Sequence, residues 1–163
     1  MKTMNTNLGM YIEQLVDRTI DYYQFNSLGF LEKRQIPIKV LKHINDTTIV
    51  AKLVAKAKVD YFGYLNNKYL EIECKQTKHE CFDMSLIKSH QLCYLKYVDA
   101  CGSLAYVLVY FERYNKVIAL TYKQLLACKK EVKKNALPYS CMAKHGTELE
   151  IIYPGVLNIK KLL

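Results

Sequence analysis

The chain has 163 residues, 51% hydrophobic and 24% charged, which is enough for one domain with a buried core. Three prolines and six glycines argue against long disordered linkers, and no apolar run reaches the roughly eighteen residues that a membrane-spanning helix needs. A net charge of +9 favours an anionic partner, nucleic acid ahead of a membrane surface, and with no signal peptide in view the expectation is a cytosolic protein with reduced thiols.

Residues 1–7 are polar and expected to fray. Residues 9–25 predict an amphipathic helix, because Ile12, Leu15, Val16, Thr19 and Tyr23 recur at helical spacing. Glu13 stands at the edge of that face, either as a solvated helix acid or as an outer acid of a metal site. Gly29 closes the following turn, and residues 30–34 lead to Pro37. Residues 36–44 alternate as a strand, and Asn45, Asp46, Thr47 and Thr48 then break the pattern. Residues 49–58 (IVAKLVAKAK) fit a helix with Lys52 and Lys56 one turn apart, and equally a β arm. Either way, residues 45–58 form an apolar and basic insertion within a single domain spanning 1–163. Lysines on a protruding element suit phosphate contacts, as they also suit a plain solvated face.

The stretch 60–75 (DYFGYLNNKYLEIECK) carries the densest pattern. Asn66, Asn67 and Lys68 supply turn chemistry. Beyond them, Leu70, Ile72 and Cys74 alternate with Tyr69, Glu71, Glu73 and Lys75. A period of two predicts a half-buried strand, with Glu73 and Lys75 on one face about 6–7 Å apart. If the strand before the turn folds back as a hairpin, Asp60 joins them, and two carboxylates and one ammonium meet at one end of a sheet. Such a set suits phosphodiester cleavage. The carboxylates can hold Mg2+, a hard cation that prefers oxygen, and the cation supplies activated water and neutralises phosphate charge. The lysine can stabilise charge developing on phosphorus. The barrier to be removed is on the order of 20 kcal/mol, more than a lysine alone can supply. The same Glu-x-Lys spelling also describes an ordinary solvated sheet face.

Residues 77–82 are expected as a loop, and Ser85 as the opening of a helix over 86–100 that stops at Gly102. Ile87, Gln91, Tyr94 and Val98 share one of its faces, so Gln91 is either a buried amide satisfied by backbone or a site residue. The run at 104–111 (LAYVLVYF) predicts a strand buried on both faces, with 116–120 beside it. Thr121-x-x-Gln124 resembles a capping box before a helix over 125–132 whose end is basic. Residues 148–153 predict a last edge strand stopped by Pro154. None of the six cysteines forms a C-x-x-C pair, which argues against a zinc ribbon; Cys81, His90 and Cys93 could be ligands, but Cys93 reads as a buried small hydrophobe.

In this order the elements resemble the restriction-endonuclease-like nucleases, a mixed β-sheet flanked by helices. More closely, they resemble the RecU family of Holliday junction resolvases. The resemblance runs through Gly9-Met10-x-x-Glu13, then Lys33-Arg34 with Pro37-Ile38, then Asp60-Tyr61-x-Gly63. It continues through Tyr69-x-x-x-Glu73-x-Lys75-x-Thr77-Lys78, Phe82 followed by His90-Gln91, Gly102 with its apolar strand, and Tyr153-Pro154. Nearly the whole chain is covered. The resemblance implies an endonuclease with Asp60 and Glu73 as ligands of Mg2+, or of Mn2+ in its place. It further implies Gln91 as another residue at the metal, Lys75 as transition-state stabiliser and Glu13 as support. The insertion becomes a stalk projecting into the junction opening, with Lys33, Arg34, Lys52, Lys56, Lys58 and Lys78 on DNA. A homodimer would place paired symmetric nicks in four-way junction DNA during recombination and repair, working with branch-migration and strand-exchange proteins. Two departures stand out. Lys58 and Val59 occupy positions where the family carries two threonines, and Lys52 and Lys56 stand in for the customary stalk arginine. Lys58 therefore also motivates a second reading, an architectural protein that binds junctions without cutting them; a third is a nuclease acting on linear duplex.

Overall fold

The computed structural model describes residues 10–163, so the expectations for residues 1–7 and for Gly9 lie outside the described residues. Its centre is the strand formed by LAYVLVYF. In chain order the elements are α1 (Met10–Phe25), β1 (Gly29–Lys33), β2 (Ile38–His43), β3 (Ile49–Leu53), β4 (Tyr61–Leu65), β5 (Lys68–Thr77) and β6 (Cys81–Asp83). There follow α2 (Ser89–Ala100), β7 (Leu104–Phe111), β8 (Lys116–Thr121), α3 (Tyr122–Val132), β9 (Ala136–Pro138), α4 (Tyr139–His145) and β10 (Thr147–Leu149). Six strands make the main sheet in the order β1-β4-β5-β7-β8-β10. Only β5 and β7 are parallel, and α2 makes the crossover between them.

β7 has no solvated face. Tyr106, Leu108 and Tyr110 enter one apolar layer with Ile12, Leu15, Val16, Tyr23 and Ile72. Ala105, Val107, Val109 and Phe111 enter the other, with Leu95, Val98, Leu125, Cys128 and Met142. Helix α1 thus covers one side of the sheet, and α2, α3 and α4 the other. This is the expected mixed sheet flanked by helices. No helix among the described residues is long and apolar enough to cross a membrane.

The β4–β5 hairpin forms as expected. Asn66 and Asn67 both have positive φ, 47° and 61°, in the tight turn that matches strand twist. Lys68 belongs to β5 rather than to the turn, pairing with Leu65. Gly63 has a steric reason: a Cβ there would lie 1.9 Å from the Phe30 carbonyl oxygen, so only glycine lets β1 pair closely with β4. The box at Thr121 also forms, with the Thr121 hydroxyl accepting the Gln124 N–H and the Gln124 side chain accepting the Thr121 N–H.

Other elements depart from expectation. The stretch 30–34, expected as a lead-in to Pro37, instead largely belongs to the edge strand β1, which starts at Gly29; only Leu31 is buried on it, too little to show a period. Residues 36–44 do not enter the main sheet: β2 pairs only with β3, in a separate two-stranded arm exposed at every position. The arm therefore begins well before residue 45, and its second strand resolves the helix-or-arm choice for residues 49–53. Helix α2 starts at Ser89, preceded by a 3-10 turn at Met84–Leu86 capped by Asp83. Residues 77–82 are not all loop, since β6 pairs with β9. The last edge strand is split: β10 joins the main sheet, while Ile151–Ile152 forms a two-residue ribbon with Val156–Leu157. Cys93 is exposed, not a buried hydrophobe.

Candidate active site

The site grows from the strand end that β1, β4 and β5 share. Asp60 precedes β4, held between its neighbours by backbone bonds: its N–H donates to the Ile72 carbonyl at 3.1 Å, and its own carbonyl accepts the Arg34 N–H at 2.7 Å. One side-chain oxygen, Oδ2, accepts the Cys74 N–H at 2.7 Å. Because Cys74 lies next to Glu73, this bond ties the Asp60 carboxylate to the middle of β5. The alternation on β5 is as read: Leu70, Ile72 and Cys74 face α1, and the glutamates face the other way. That second face is not solvated. Glu71 and Glu73 are both fully buried.

Glu73 is the most distinctive group. Its Oε1 accepts from Lys75 Nζ and, at 2.6 Å, from Gln91 Nε2 on α2. Its Oε2 is buried with no hydrogen-bond partner among the described residues. Leaving a carboxylate oxygen unpaired in the interior is expensive, and the cost is relieved by a proton or a cation. Burial raises the Glu73 carboxyl to about 7, with the neighbouring Asp60 charge adding to the effect. Asp60 is also raised, chiefly by burial. Two carboxylates that repel each other, one with an orphaned oxygen, make an oxygen-rich set that a hard divalent cation fits.

These groups give a pH prediction with a definite sign. The folded protein holds a proton on Glu73 more tightly than the unfolded chain does, so this stability is present below the ordinary 4.5 and lost as pH rises through about 7. In chelator, at pH 8, Glu73→Gln should therefore stabilise the protein by about 2 kcal/mol in urea unfolding, with little difference at pH 4. No gain at pH 8 would mean that the buried carboxylate is not strained.

Gln91, expected beside a metal, is engaged at both ends. Its nitrogen donates to Glu73, and its oxygen accepts the Lys88 N–H at 2.9 Å, closing the first turn of α2. Glu13, on the first turn of α1, receives Lys33 Nζ at 3.0 Å, and Asp17 shares that ammonium at 3.3 Å. Tyr61 donates to Asp17 at 2.7 Å and fixes the helix over the strand.

The basic residues divide into two groups. Lys33 is held by the α1 acids, and Arg34 is spent on Glu71, with one guanidinium nitrogen 2.7 Å from both carboxylate oxygens. Glu71 Oε1 also accepts from the hydroxyls of Tyr69 and Tyr94, and the Arg34 guanidinium lies over the Phe62 ring at 4.6 Å. No local signal in the sequence announces this buried cluster, because there Glu71 is only one member of an alternating run. Lys52, Lys56, Lys58 and Lys78 are exposed, with no carboxylate in salt-bridge reach among the described residues. Lys58 lies over the Tyr94 ring at 4.7 Å, while Val59 is fully buried. His90 Nε2 meets the Ala57 carbonyl at 3.1 Å, pinning the returning arm to α2.

Comparison with known proteins follows the same lines. The family model described as "Recombination protein U" (RecU) matches residues 7–163. Similar curated proteins include "Holliday junction resolvase RecU" of Ureaplasma parvum serovar 3, 30% identical over 159 residues, covering 98% of this chain and 93% of that one. The protein of the same name in Mycoplasmopsis pulmonis is 28% identical over 152 residues, covering 93% and 90%. Among solved structures, Archaeoglobus fulgidus Hjc, a Holliday junction resolvase, superposes with a TM-score of 0.50 at 14% identity, covering 83% of this chain and 94% of that one. At that identity the likeness concerns the fold.

Proposed function

The chain belongs to the RecU family of recombination proteins, and from that premise we propose that it is an endonuclease that resolves four-way DNA junctions. Paired symmetric nicks dependent on Mg2+, or on Mn2+ in its place, complete the reading. The observation that carries it is the orphaned Glu73 Oε2, buried beside Asp60 and Lys75. Asp60 and Glu73 would hold the cation, which when bound supplies Lewis acidity, neutralising phosphate charge and acidifying water.

The chain's own side chains do the rest. Gln91 fixes the Glu73 carboxylate through the start of α2, so the acid keeps one orientation as substrate arrives. Lys75, part-buried on the same strand face, brings a positive charge to the oxygens on phosphorus as negative charge builds there. Glu13 holds Lys33 at the rim, close enough for both to act on Asp60 electrostatically. The exposed Lys52 and Lys56 on and below the β2–β3 arm, with Lys58 and Lys78, provide phosphate contacts, while Arg34 serves through its pairing with Glu71. A homodimer suits the substrate, since a two-fold assembly presents two equivalent sites to two like strands of a junction.

Binding should weaken steeply with salt. If about six phosphates are neutralised, log K falls with slope roughly −5 against log salt, and replacing Lys52 or Lys56 should reduce the slope by about one. Fluorescence anisotropy with a labelled junction checks this, and a flat salt response would exclude the lysine surface. Lys58 keeps the architectural reading in play, since an ammonium stands where the family has a hydroxyl. Incubating junction and linear duplex of equal length with the protein and Mg2+ separates the cases: nicks in the junction support the resolvase, and binding without nicks at any Mg2+ or Mn2+ level supports the binder.

A further inference from the structure

On the same side of the sheet as α2, but away from the Asp60–Glu73 site, α3 and α4 bring together side chains that this site does not use. Cys128 comes from α3, and Cys141 and His145 from α4. Both sulfurs and one imidazole nitrogen lie within 4.8 Å of one another. Cys141 and His145 are four residues apart and so share one helix face. Cys128 is fully buried and Cys141 nearly so, and the Cys128 thiol has only a weak partner, donating to the Cys141 carbonyl at 3.6 Å. The imidazole is partly open to solvent and already oriented, with Nε2 2.7 Å from Glu131 Oε2. With the proton on Nε2, that bond leaves the Nδ1 lone pair free. A carboxylate behind a histidine is the usual support of a metal-binding imidazole.

We propose that Cys128, Cys141 and His145 form a binding site for a thiophilic cation, Zn2+ by its chemistry, which clamps α4 to α3. Two thiolates and an imidazole are the soft and borderline donors that select zinc over Mg2+, and the fourth position falls to water at the solvent side. The site is built from two helices rather than a C-x-x-C knuckle, so spacing in the sequence does not announce it. Its function is structural, because none of its residues belongs to the Asp60–Glu73 cluster.

Co2+ is a suitable probe, since thiolate ligation gives a sulfur-to-cobalt charge-transfer absorption that carboxylate ligation does not. Excess Mg2+ in the buffer occupies carboxylate sites. The expected result with reduced full-length protein is one equivalent of Co2+ bound with that absorption, displaced by Zn2+. The band should survive replacement of the exposed thiols in Cys93→Ser/Cys101→Ser and disappear in Cys141→Ser. His145→Gln should weaken binding at least about tenfold while circular dichroism stays native. A reduced protein that gives no charge-transfer band overturns the proposal without any variant having to fold. So does a band that persists in Cys141→Ser, or a Cys128–Cys141 disulfide in the isolated protein coupled with no band after reduction.

Discussion

Asp60→Ala and Glu73→Ala should each lower junction cleavage by at least about 10³-fold while changing junction affinity by less than about threefold. The asymmetry follows from where the groups sit. Glu73 is fully buried and Asp60 largely enclosed, so neither offers much surface to DNA, and the exposed lysines proposed to contact it stay in place. Removing either carboxylate would take away half of the oxygen-donor pair proposed to hold the cation. A 10³-fold loss is about 4 kcal/mol of transition-state stabilisation, reasonable for a group that organises the reacting charge. Glu73→Ala also frees Lys75 and the Gln91 amide from their shared oxygen, so its effect should equal or exceed that of Asp60→Ala. Gel assays of nicking and of binding on the same labelled junction measure both quantities. Equal losses in cleavage and binding would point to a folding defect or a direct DNA contact.

Glu71→Ala should destabilise the protein by about 3 kcal/mol, moving the urea midpoint by more than about 1 M. Glu71 is fully buried and satisfies the Arg34 guanidinium together with the hydroxyls of Tyr69 and Tyr94. Without it, a cation and two phenols lose their acceptor, and Arg34 Nε already lacks a partner among the described residues. The loss falls toward the low end for a broken buried pair because Arg34 retains some solvent contact. Arg34→Met/Glu71→Leu should recover the part of the stability owed to the unpaired cation, while the Tyr69 and Tyr94 hydroxyls still lack their acceptor. A cost below about 0.5 kcal/mol for Glu71→Ala would mean that the pair is screened as a surface bridge is.

Much of this was legible in the chain. The alternation of β5, the unbroken apolar run of β7 and the Asn66-Asn67 turn are local signals, and the structure follows each. Asp60 and Glu73 could be paired in advance because a hairpin turn fixes its own register. What escaped depends on contacts distant in sequence. Period two says which residues share a face, not whether anything covers it, so Glu71 and Glu73 read as candidates for a wet face until α2 lies over them. The arm misleads in the opposite sense: Ile36, Ile38 and Val40 spell a core face, yet all three are exposed. Strand β1 and helix α4 are too short to establish a period, and α4 brings Cys141 and His145 to Cys128 only through the packing of two helices.

The most direct measurement is incubation of the purified protein with a synthetic four-way junction, with Mg2+ and in chelator, followed by mapping of the cut strands. Symmetric nicks on two like strands with Mg2+, none in chelator and none in linear duplex of the same sequence are the predicted result. A junction that is bound but left intact at every Mg2+ and Mn2+ concentration would contradict it.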